Sequence, residues 1–379
     1  MTLKREIIDI LLRVSIILTT FSCCHFSEAQ EIRIPERWDF TDVPPVRGRD
    51  TLTIVVLGDI MMHSRQIDYA RQEDGSYRFD CFRHIRGMIG AADIAIANME
   101  FTLAGEPYSG YPAFSAPDSF AEYAADCGID IFLTANNHIL DKGSEGAART
   151  LEIYGKLGIR HTGTSADQIQ KDSIHPLMTD RKGFRSAIVN MTYGTNSGGT
   201  AAWPKVNYIG AEEDLGKAIA KASEMGAETI IAFPHWGNEY ELRHSARQEK
   251  TAAWLAGKGV DIIIGAHPHV VQDFQKIGEN SIPVAYSLGN AVSNMSAANT
   301  QIGLMATVRI TRDDTGKATV LPIEFTYLWC SRPGGYTDTY MVLPVKDFIG
   351  TREEWTGGWE YDKMIDTYHN VISETGIRP

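Results

Sequence analysis

From residue 51 onward, short apolar runs rich in β-branched residues alternate with polar clusters. The runs cover residues 51–57, 94–97, 129–134, 229–233, 260–264 and 282–286. Each ends abruptly: at Gly58-Asp59, at Asn98-Met99-Glu100, at Asn136-Asn137-His138, at Pro234-His235-Trp236-Gly237, at Gly265-Ala266-His267-Pro268-His269, and at Ser287-Leu288-Gly289-Asn290. Near-continuous apolar runs of this length are what strands buried on both faces look like. Residues 117–127, 143–157, 211–226 and 244–258 lie between them and have helical character. The alternation predicts βαβ units and an α/β fold with a mostly parallel sheet. Ligands of such sheets bind beyond the carboxyl ends of the strands. The polar clusters sit at those ends, so they are expected to converge on one site.

Beyond residue 300 the pattern changes. Residues 307–310 and 320–325 read as strands joined by a turn at Asp313-Asp314-Thr315-Gly316, and a final helix is expected near 361–373. This divides the chain into a main domain over 51–312 and C-terminal strands and a cap over 313–379 that pack on it. Residues 30–50, with Pro35, Pro44 and Pro45, read as a linker.

Residues 1–29 have the form of an export signal. Lys4 and Arg5 precede an apolar stretch at 14–21, and Ser27-Glu28-Ala29 before Gln30 has the small-x-small shape of a cleavage site. The alternative is a lipoprotein signal with Cys23 or Cys24 lipidated. Both predict a protein of the cell envelope, either periplasmic or membrane-anchored. Cys81, Cys127 and Cys330 are scattered, without a CxxC motif, and read as buried free thiols. A net charge of −12 argues against nucleic acid as a partner, because phosphate binding needs clustered Lys and Arg.

The strand ends carry the candidate chemistry. Asp59, Glu100, Asn137, His138, His235, His267 and His269 together make a carboxylate, amide and imidazole donor set suited to a divalent Mn, Fe or Zn ion. His267-Pro268-His269 is expected to turn at Pro268 so that both imidazoles face neighbouring metals; one of them standing behind the metal is the alternative. Asn137-His138 is expected to open a helix. Asp141, three residues on, would then face His138, orient its ring and suit it to act as a general acid. Arg65, Trp236, Glu239 and Asn290 lie close enough in sequence to these clusters to be substrate-binding candidates. For Arg65 a solvated role, and for Trp236 a core role, are equally open.

Six blocks carry a family resemblance: Gly58-Asp59-Ile60-Met61, Asn98-Met99-Glu100, Ala135-Asn136-Asn137-His138-Ile139-Leu140-Asp141, His235-Trp236-Gly237-Asn238-Glu239-Tyr240, Gly265-Ala266-His267-Pro268-His269-Val270 and Tyr286-Ser287-Leu288-Gly289-Asn290. In order and spacing they resemble the CapA family of poly-γ-glutamate and capsule biosynthesis proteins, which is similar in turn to calcineurin-like metallophosphoesterases. The resemblance implies a four-layer α-β-β-α sandwich with mixed sheets and a dinuclear metal site. It implies Asp59 and His269 on a first metal, Glu100 as the bridge, and Asn137, His235 and His267 on a second. His138 would be the acid, and a metal-activated water would attack a phosphoester or γ-glutamyl-type bond. The sequence departs from the phosphoesterase pattern at Met61, where a His is expected two residues after the first Asp; His63 is out of register. The rival expectation is a non-catalytic envelope component that binds or tethers an anionic polymer, with membrane-bound polymer synthases as partners.

Overall fold

The alternation along the first apolar run sets the layering. In the computed structural model, which describes residues 51–199, 202–313 and 315–378, β1 spans Thr51–Ile60. Its Leu52, Ile54 and Val56 enter one core, and Val55 and Leu57 enter another, as the two-residue period of a strand requires. The expected export signal and linker, over residues 1–50, lie outside the described residues.

After β1 come α1 (Ser64–Ala70), α2 (Arg86–Gly90), β2 (Ile94–Met99), α3 (Asp118–Asp126), β3 (Ile131–Leu133), α4 (Gly143–Lys156), β4 (Arg160–Thr162) and β5 (Thr164–Ser165). The next are α5 (Gln168–Ile174), β6 (Leu177–Arg181), β7 (Phe184–Thr192), β8 (Lys205–Val206), α6 (Glu212–Glu224), β9 (Thr229–His235), α7 (Ala246–Gly257) and β10 (Ile262–Ile264). The chain ends with β11 (Phe274–Ile277), β12 (Ile282–Ala285), β13 (Asn290–Val292), β14 (Ile302–Arg312), β15 (Ala318–Val320), β16 (Glu324–Ser331), β17 (Met341–Pro344), α8 (Val345–Phe348) and α9 (Gly358–Thr375).

One sheet runs β17-β16-β14-β1-β2-β3-β4, with β13 alongside β1 and β15 alongside β14. A second runs β11-β12-β10-β9-β7-β6. Both are mixed: β1 to β4 are mutually parallel, as are β7, β9, β10 and β12, while β14, β16 and the edge strands β6 and β11 run antiparallel to their neighbours. Between the sheets, Ile54, Ile96 and Ile131 meet Ile188, Ile231 and Ile262. Outside the first sheet Phe120, Ala124, Leu151 and Tyr154 of α3 and α4 cover Ala95, Ala97 and Phe132. Outside the second, Leu215 and Ile219 of α6 and Leu255 of α7 cover Val189, Ile230 and Ile263. Helix, sheet, sheet and helix are thus the four layers.

The helices obey local rules. Ser245 caps α7, with Gln248 returning its amide oxygen to the Ser245 N–H at 2.8 Å. Gly376, at φ 72°, ends α9 in the left-handed conformation that glycine adopts freely. The strand expected over 320–325 is two strands, β15 and β16, on either side of Pro322, which has no N–H to give to a ladder. Residues beyond 313 extend the first sheet, and Met364, Tyr368 and Val371 of α9 join the core between the layers. Cys81, Cys127 and Cys330 are buried free thiols. Among the described residues no helix is long and apolar enough to cross a membrane.

One close approach fixes the end of β1. A Cβ on Gly58 would lie 2.0 Å from the carbonyl oxygen of Gly289, and the next residue, Asp59, donates its N–H to that same oxygen at 2.9 Å. Gly58→Ala therefore has to push β1 and the 287–290 turn apart. A loss of about 3 kcal/mol is expected from such overpacking, read as a lower urea midpoint with an unchanged slope.

Candidate metal centre

Five strands of the two sheets, β1, β2, β3, β9 and β10, end on the same side, and their end residues meet there. Asp59 is the penultimate residue of β1 and pairs in register with Asn98 of β2 on one side and Asn290 of β13 on the other. Glu100 follows β2 by one residue, so Asn98 and Glu100 share a face. His235 ends β9, and His267 and His269 follow β10. Asp59, Glu100, Asn137, His138, His235, His267 and His269 are all buried. Donor atoms of Asp59, Glu100 and His235 lie within 4.8 Å of one another, and so do those of Glu100, His267 and His269. Glu100 belongs to both groups.

The turn at Pro268 is sharp. His267 has φ 100° and His269 φ 59°, a left-handed region that non-glycine residues seldom occupy and that costs energy to hold. The cost is met by fixed partners. The His267 N–H donates to Asp59 Oδ2 at 3.1 Å, and the Pro268 carbonyl accepts from the Tyr240 N–H at 2.8 Å. The result is that both rings reach one cluster, with centroids 5.9 Å apart.

Amides hold the donors in place. Asn98 Nδ2 donates to Asp59 Oδ1 at 2.7 Å and to Glu100 Oε2 at 3.3 Å. Asn136 Nδ2 donates to Asn98 Oδ1 at 3.2 Å and to the Met99 carbonyl at 2.9 Å. Asn290 Oδ1 lies 3.0 Å from His269 Nδ1, which turns Nε2 toward Glu100. Asn290, a substrate-binding candidate from the sequence, thus stands behind His269. His235 Nε2 lies 2.8 Å from Asn137 Oδ1. From the second sheet, Asn190 of β7 accepts from the N–H groups of Thr134 and Ala135 at 3.1 and 2.7 Å and donates to the Phe233 carbonyl at 2.8 Å. It ties the end of β3 to β9.

Asn137-His138 does not open a helix. Residues 137–142 form successive turns, and α4 starts only at Gly143. The Asn136 side chain takes the His138 N–H at 3.1 Å, which makes a local turn instead of a helix cap. The His138–Asp141 contact survives the change: His138 Nδ1 lies 2.7 Å from Asp141 Oδ2. Asp141 also accepts the Phe114 N–H at 2.9 Å, and the Phe114 ring stands edge-on to His138 at 4.7 Å.

The other candidates scatter. Arg65 is exposed on α1 with its guanidinium 5.9 Å from the Tyr69 ring. Trp236 is buried in the outer core of the second sheet and donates to the Tyr286 carbonyl at 2.9 Å. Glu239 is exposed on the loop after β9, where its charge is felt by Glu100 and His269. Met61 is buried in apolar core. His63 does not take over a ligand's place: its Nδ1 receives the Asn294 N–H at 3.2 Å and lies 3.2 Å from Gln66 Oε1.

The residues present suit a cation. Glu100 Oε1 is buried without a hydrogen-bond partner, and so is His267 Nδ1. Glu100 Oε1 lies 3.4 Å from His235 Nε2 and 3.8 Å from His269 Nε2, close enough for charge but not bonded to either. Buried polar atoms left this way are costly, and a positive ion among them removes the cost.

The charges of the metal-free cluster are divided unevenly. Burial raises the Glu100 carboxyl well above its usual range, and the neighbouring Asp59 charge adds to this. Burial works against Asp59 too, but its bond and charge contact with His269 override it and hold the group at about 2. Burial likewise disfavours charged His269, yet Glu100 and Asp59 raise it to about 9. Burial lowers His235 to about 3 and takes His267 well down, the latter with help from His235. The Asp59–His269 pair therefore stabilises the metal-free fold most between the ordinary values of 3.8 and 6.5. Below that window the Asp59 share is lost as pH falls toward about 2. Above it the His269 share is lost as pH rises through about 9. Asp59→Asn should accordingly destabilise chelator-treated protein more at about pH 5.5 than at about pH 9.5 in urea titrations.

Sequence reading missed Asn190 and Tyr193, which lie on or just after an apolar strand that it did not mark. It quoted Asn98 without giving it a role, though spacing of two from Glu100 is a signal that both share a strand face.

Comparison with known proteins places this geometry in context. The chain is 27% identical over 294 residues to the capsule biosynthesis protein CapA of Bacillus anthracis, covering 74% of this chain and 70% of that one. It is 24% identical over 286 residues to the PGA biosynthesis protein CapA of Bacillus subtilis, covering 73% and 72% respectively. Among solved structures it is similar to a novel phosphatase from Mycoplasma pneumoniae, at 13% identity and a TM-score of 0.45, over 74% of this chain and 94% of that one. The profile of the bacterial capsule synthesis protein family PGA_cap matches residues 53–295, the stretch from β1 to just past β13 that supplies every residue of the cluster. The chain belongs to the bacterial capsule synthesis protein PGA_cap family.

Proposed function

We propose that this protein is an exported, metal-dependent hydrolase acting on a phosphoester or γ-glutamyl-type bond during the assembly of a capsule or envelope polymer. The observation that carries the reading is Glu100: a fully buried carboxylate, common to two donor groups, with one oxygen left without a hydrogen bond. A bridging acid of a two-cation site has this environment. Asp59, Glu100 and His235 would hold one cation and Glu100, His267 and His269 the other, with His235 and His269 exchanged relative to the assignment the family resemblance implies and with Asn137 available as a further oxygen donor. Cations there would supply Lewis-acid chemistry, drawing charge from an anionic oxygen of the substrate and lowering the pKa of water.

The chain's own groups do the rest. Asp141 holds His138 by Nδ1 at 2.7 Å, which leaves Nε2 to carry a proton toward a leaving oxygen or nitrogen. Phe114 presses on the ring and limits its rotation. Asn98 and Asn290 keep Asp59 and His269 from swinging out of the cluster. Met61 offers no imidazole to the group around Asp59, so the two cations should bind with unequal affinity.

The experiment is a substrate panel run on purified protein with added Mn²⁺ or with a chelator: aryl phosphodiesters, aryl phosphomonoesters and γ-linked glutamate oligomers. Cleavage of at least one class, lost on chelation and restored by metal, is the expected result. Cleavage that persists in chelator would rule out the metal role. Metal titration by calorimetry should show one tight and one weaker binding event.

A further inference from the structure

The C-terminal strands, which lie beyond the stretch 53–295 that supplies the cluster, reach the same edge of the first sheet. β14 is antiparallel to β1 and β16 is antiparallel to β14, so β16 points the same way as β1 and ends on the side of Asp59. The segment 293–295 joins the two regions. Cys330 Sγ donates to the Ser293 carbonyl at 3.4 Å, and the Tyr340 hydroxyl donates to Asn294 Oδ1 at 2.7 Å. The Asn294 N–H in turn meets His63 Nδ1, and the His63 ring stands 5.2 Å from that of Phe114, the residue packed on His138. Arg332 follows the last residue of β16 into this corner. Its charge is felt by His63, Cys330 and Tyr340, and His63 also feels His138 and His269.

The base of the Arg332 side chain is fixed. Its N–H donates to Glu360 Oε1 at 3.0 Å. Glu360 is fully buried on α9 and also accepts from Gln301 Nε2 at 3.0 Å and from the Ser331 hydroxyl at 2.6 Å. The carboxylate is filled by these donors and does not bond the guanidinium. Arg332 is partly exposed, yet its Nε and Nη2 are buried without a hydrogen-bond partner. Among the described residues that are at least partly buried, it is the only Lys or Arg left in this condition. An unpaired cation on an open surface is solvated and calls for no explanation. A buried N–H of a charged group with no acceptor is costly. The two nitrogens are also a matched pair: Nε–H and Nη2–H lie along one edge of the guanidinium and point the same way, the fork that fits two oxygens of a carboxylate or phosphate.

We infer that Arg332 binds an oxyanion on the His138 side of the cluster, gripping two of its oxygens through Nε–H and Nη2–H. The C-terminal strands thereby contribute a binding residue to a site whose other members all come from the earlier stretch. The role of the anion in turnover rests on the reading of the cluster as a hydrolase with His138 as its acid. On that reading the anion is a group of the substrate next to the leaving atom, and Arg332 selects substrates whose leaving group carries a negative charge. The Glu360 contacts serve this by holding the backbone at 331–332, so the fork is presented in one place before the anion arrives.

The test is calorimetric titration of inorganic phosphate and of glutarate into the full-length protein and its Arg332→Gln variant, each Mn²⁺-loaded and chelator-treated. At least one anion should bind the parent, and the variant should bind it about 10- to 100-fold more weakly in both states. Whether phosphate or glutarate binds better tells which oxyanion the fork prefers. Arg332→Lys keeps the charge but loses the fork, and a loss of about tenfold is expected of it; this comparison decides the matter if Arg332→Gln does not fold. Without anion, the urea midpoint of Arg332→Gln should equal or exceed that of the parent, because a buried cation without a partner is removed. No binding of either anion by the parent, or equal affinity in parent and variants, would overturn the inference. A lowered midpoint with unchanged anion affinity would do the same, by making Arg332 a structural residue. In turnover, an aryl substrate with a carboxylate on its leaving group should be favoured over its carboxamide counterpart by about tenfold in kcat/KM, mainly through KM, and Arg332→Gln should lose that preference. If no substrate is cleaved, the hydrolase reading falls, and the titrations in chelator still decide for or against Arg332.

Discussion

Glu100→Gln is expected to abolish nearly all of the stability that divalent metal gives this protein while leaving the metal-free fold intact. The substitution keeps the shape of a side chain that is fully buried. It removes a charge that burial and Asp59 already disfavour when no cation is present, so the chelator-treated variant should unfold at a urea concentration equal to or above that of the parent. A cation changes the balance. At a free concentration a thousandfold above its dissociation constant, a ligand that binds only the folded state adds about 4 kcal/mol. Both donor groups use Glu100, so its loss should reduce this gain to below about 1 kcal/mol. The measurement is paired urea unfolding with Mn²⁺ and with chelator. An equal gain in variant and parent would mean that the cation binds elsewhere.

His138→Ala should lower kcat by about 10²- to 10⁴-fold, the range that a positioned acid contributes, without loss of bound metal. His138 is absent from both donor groups, and its ring is oriented by Asp141 and Phe114, not by Asp59 or Glu100. Asp141→Asn should have the milder form of the same effect, about 10- to 100-fold, because the ring stays in place but its Nδ1 partner loses its charge. Metal content by elemental analysis and kcat on the best substrate of the panel must be measured on the same samples. Loss of metal in His138→Ala would make that residue a ligand. Full activity in the variant would remove it from the mechanism.

The contrast between what the sequence revealed and what it concealed has a physical basis. The runs that became β1, β2, β9 and β10 were legible because a strand covered on both faces is apolar throughout, and its end is marked where polarity returns. Asp59, Glu100, His235, His267 and His269 were found by that rule alone. β7 is equally buried, but Arg185, Ser186 and Asn190 interrupt it, and Asn190 is polar because it bridges the two sheets. The turn after β3 was read as a helix start because Asn-Asn before a helical stretch is a normal cap. Asn136 is instead used sideways, to Asn98 and to the His138 N–H, and no local pattern encodes a partner 38 residues away. Asn290 shows the same limit: its place in the sequence marked it as part of the site, but only the fold reveals that it faces His269 and not the cleft.

The four-layer sandwich could be anticipated only through the family resemblance, since strand alternation by itself predicts one parallel sheet. What the pattern could not show is the division of strands between two sheets. That division depends on β14 running antiparallel beside β1 and β16 antiparallel beside β14, and both strands come late in the chain.

The account stands on two cations sharing Glu100. An anomalous-scattering map from crystals of the Mn²⁺-loaded protein, collected at the manganese edge, tests this most directly. Two peaks are expected on either side of the Glu100 carboxylate, one near Asp59 and His235 and the other near His267 and His269, with the peak beside Asp59 the weaker. A well-ordered map with no peak in this cluster, or with manganese bound only elsewhere, would contradict it.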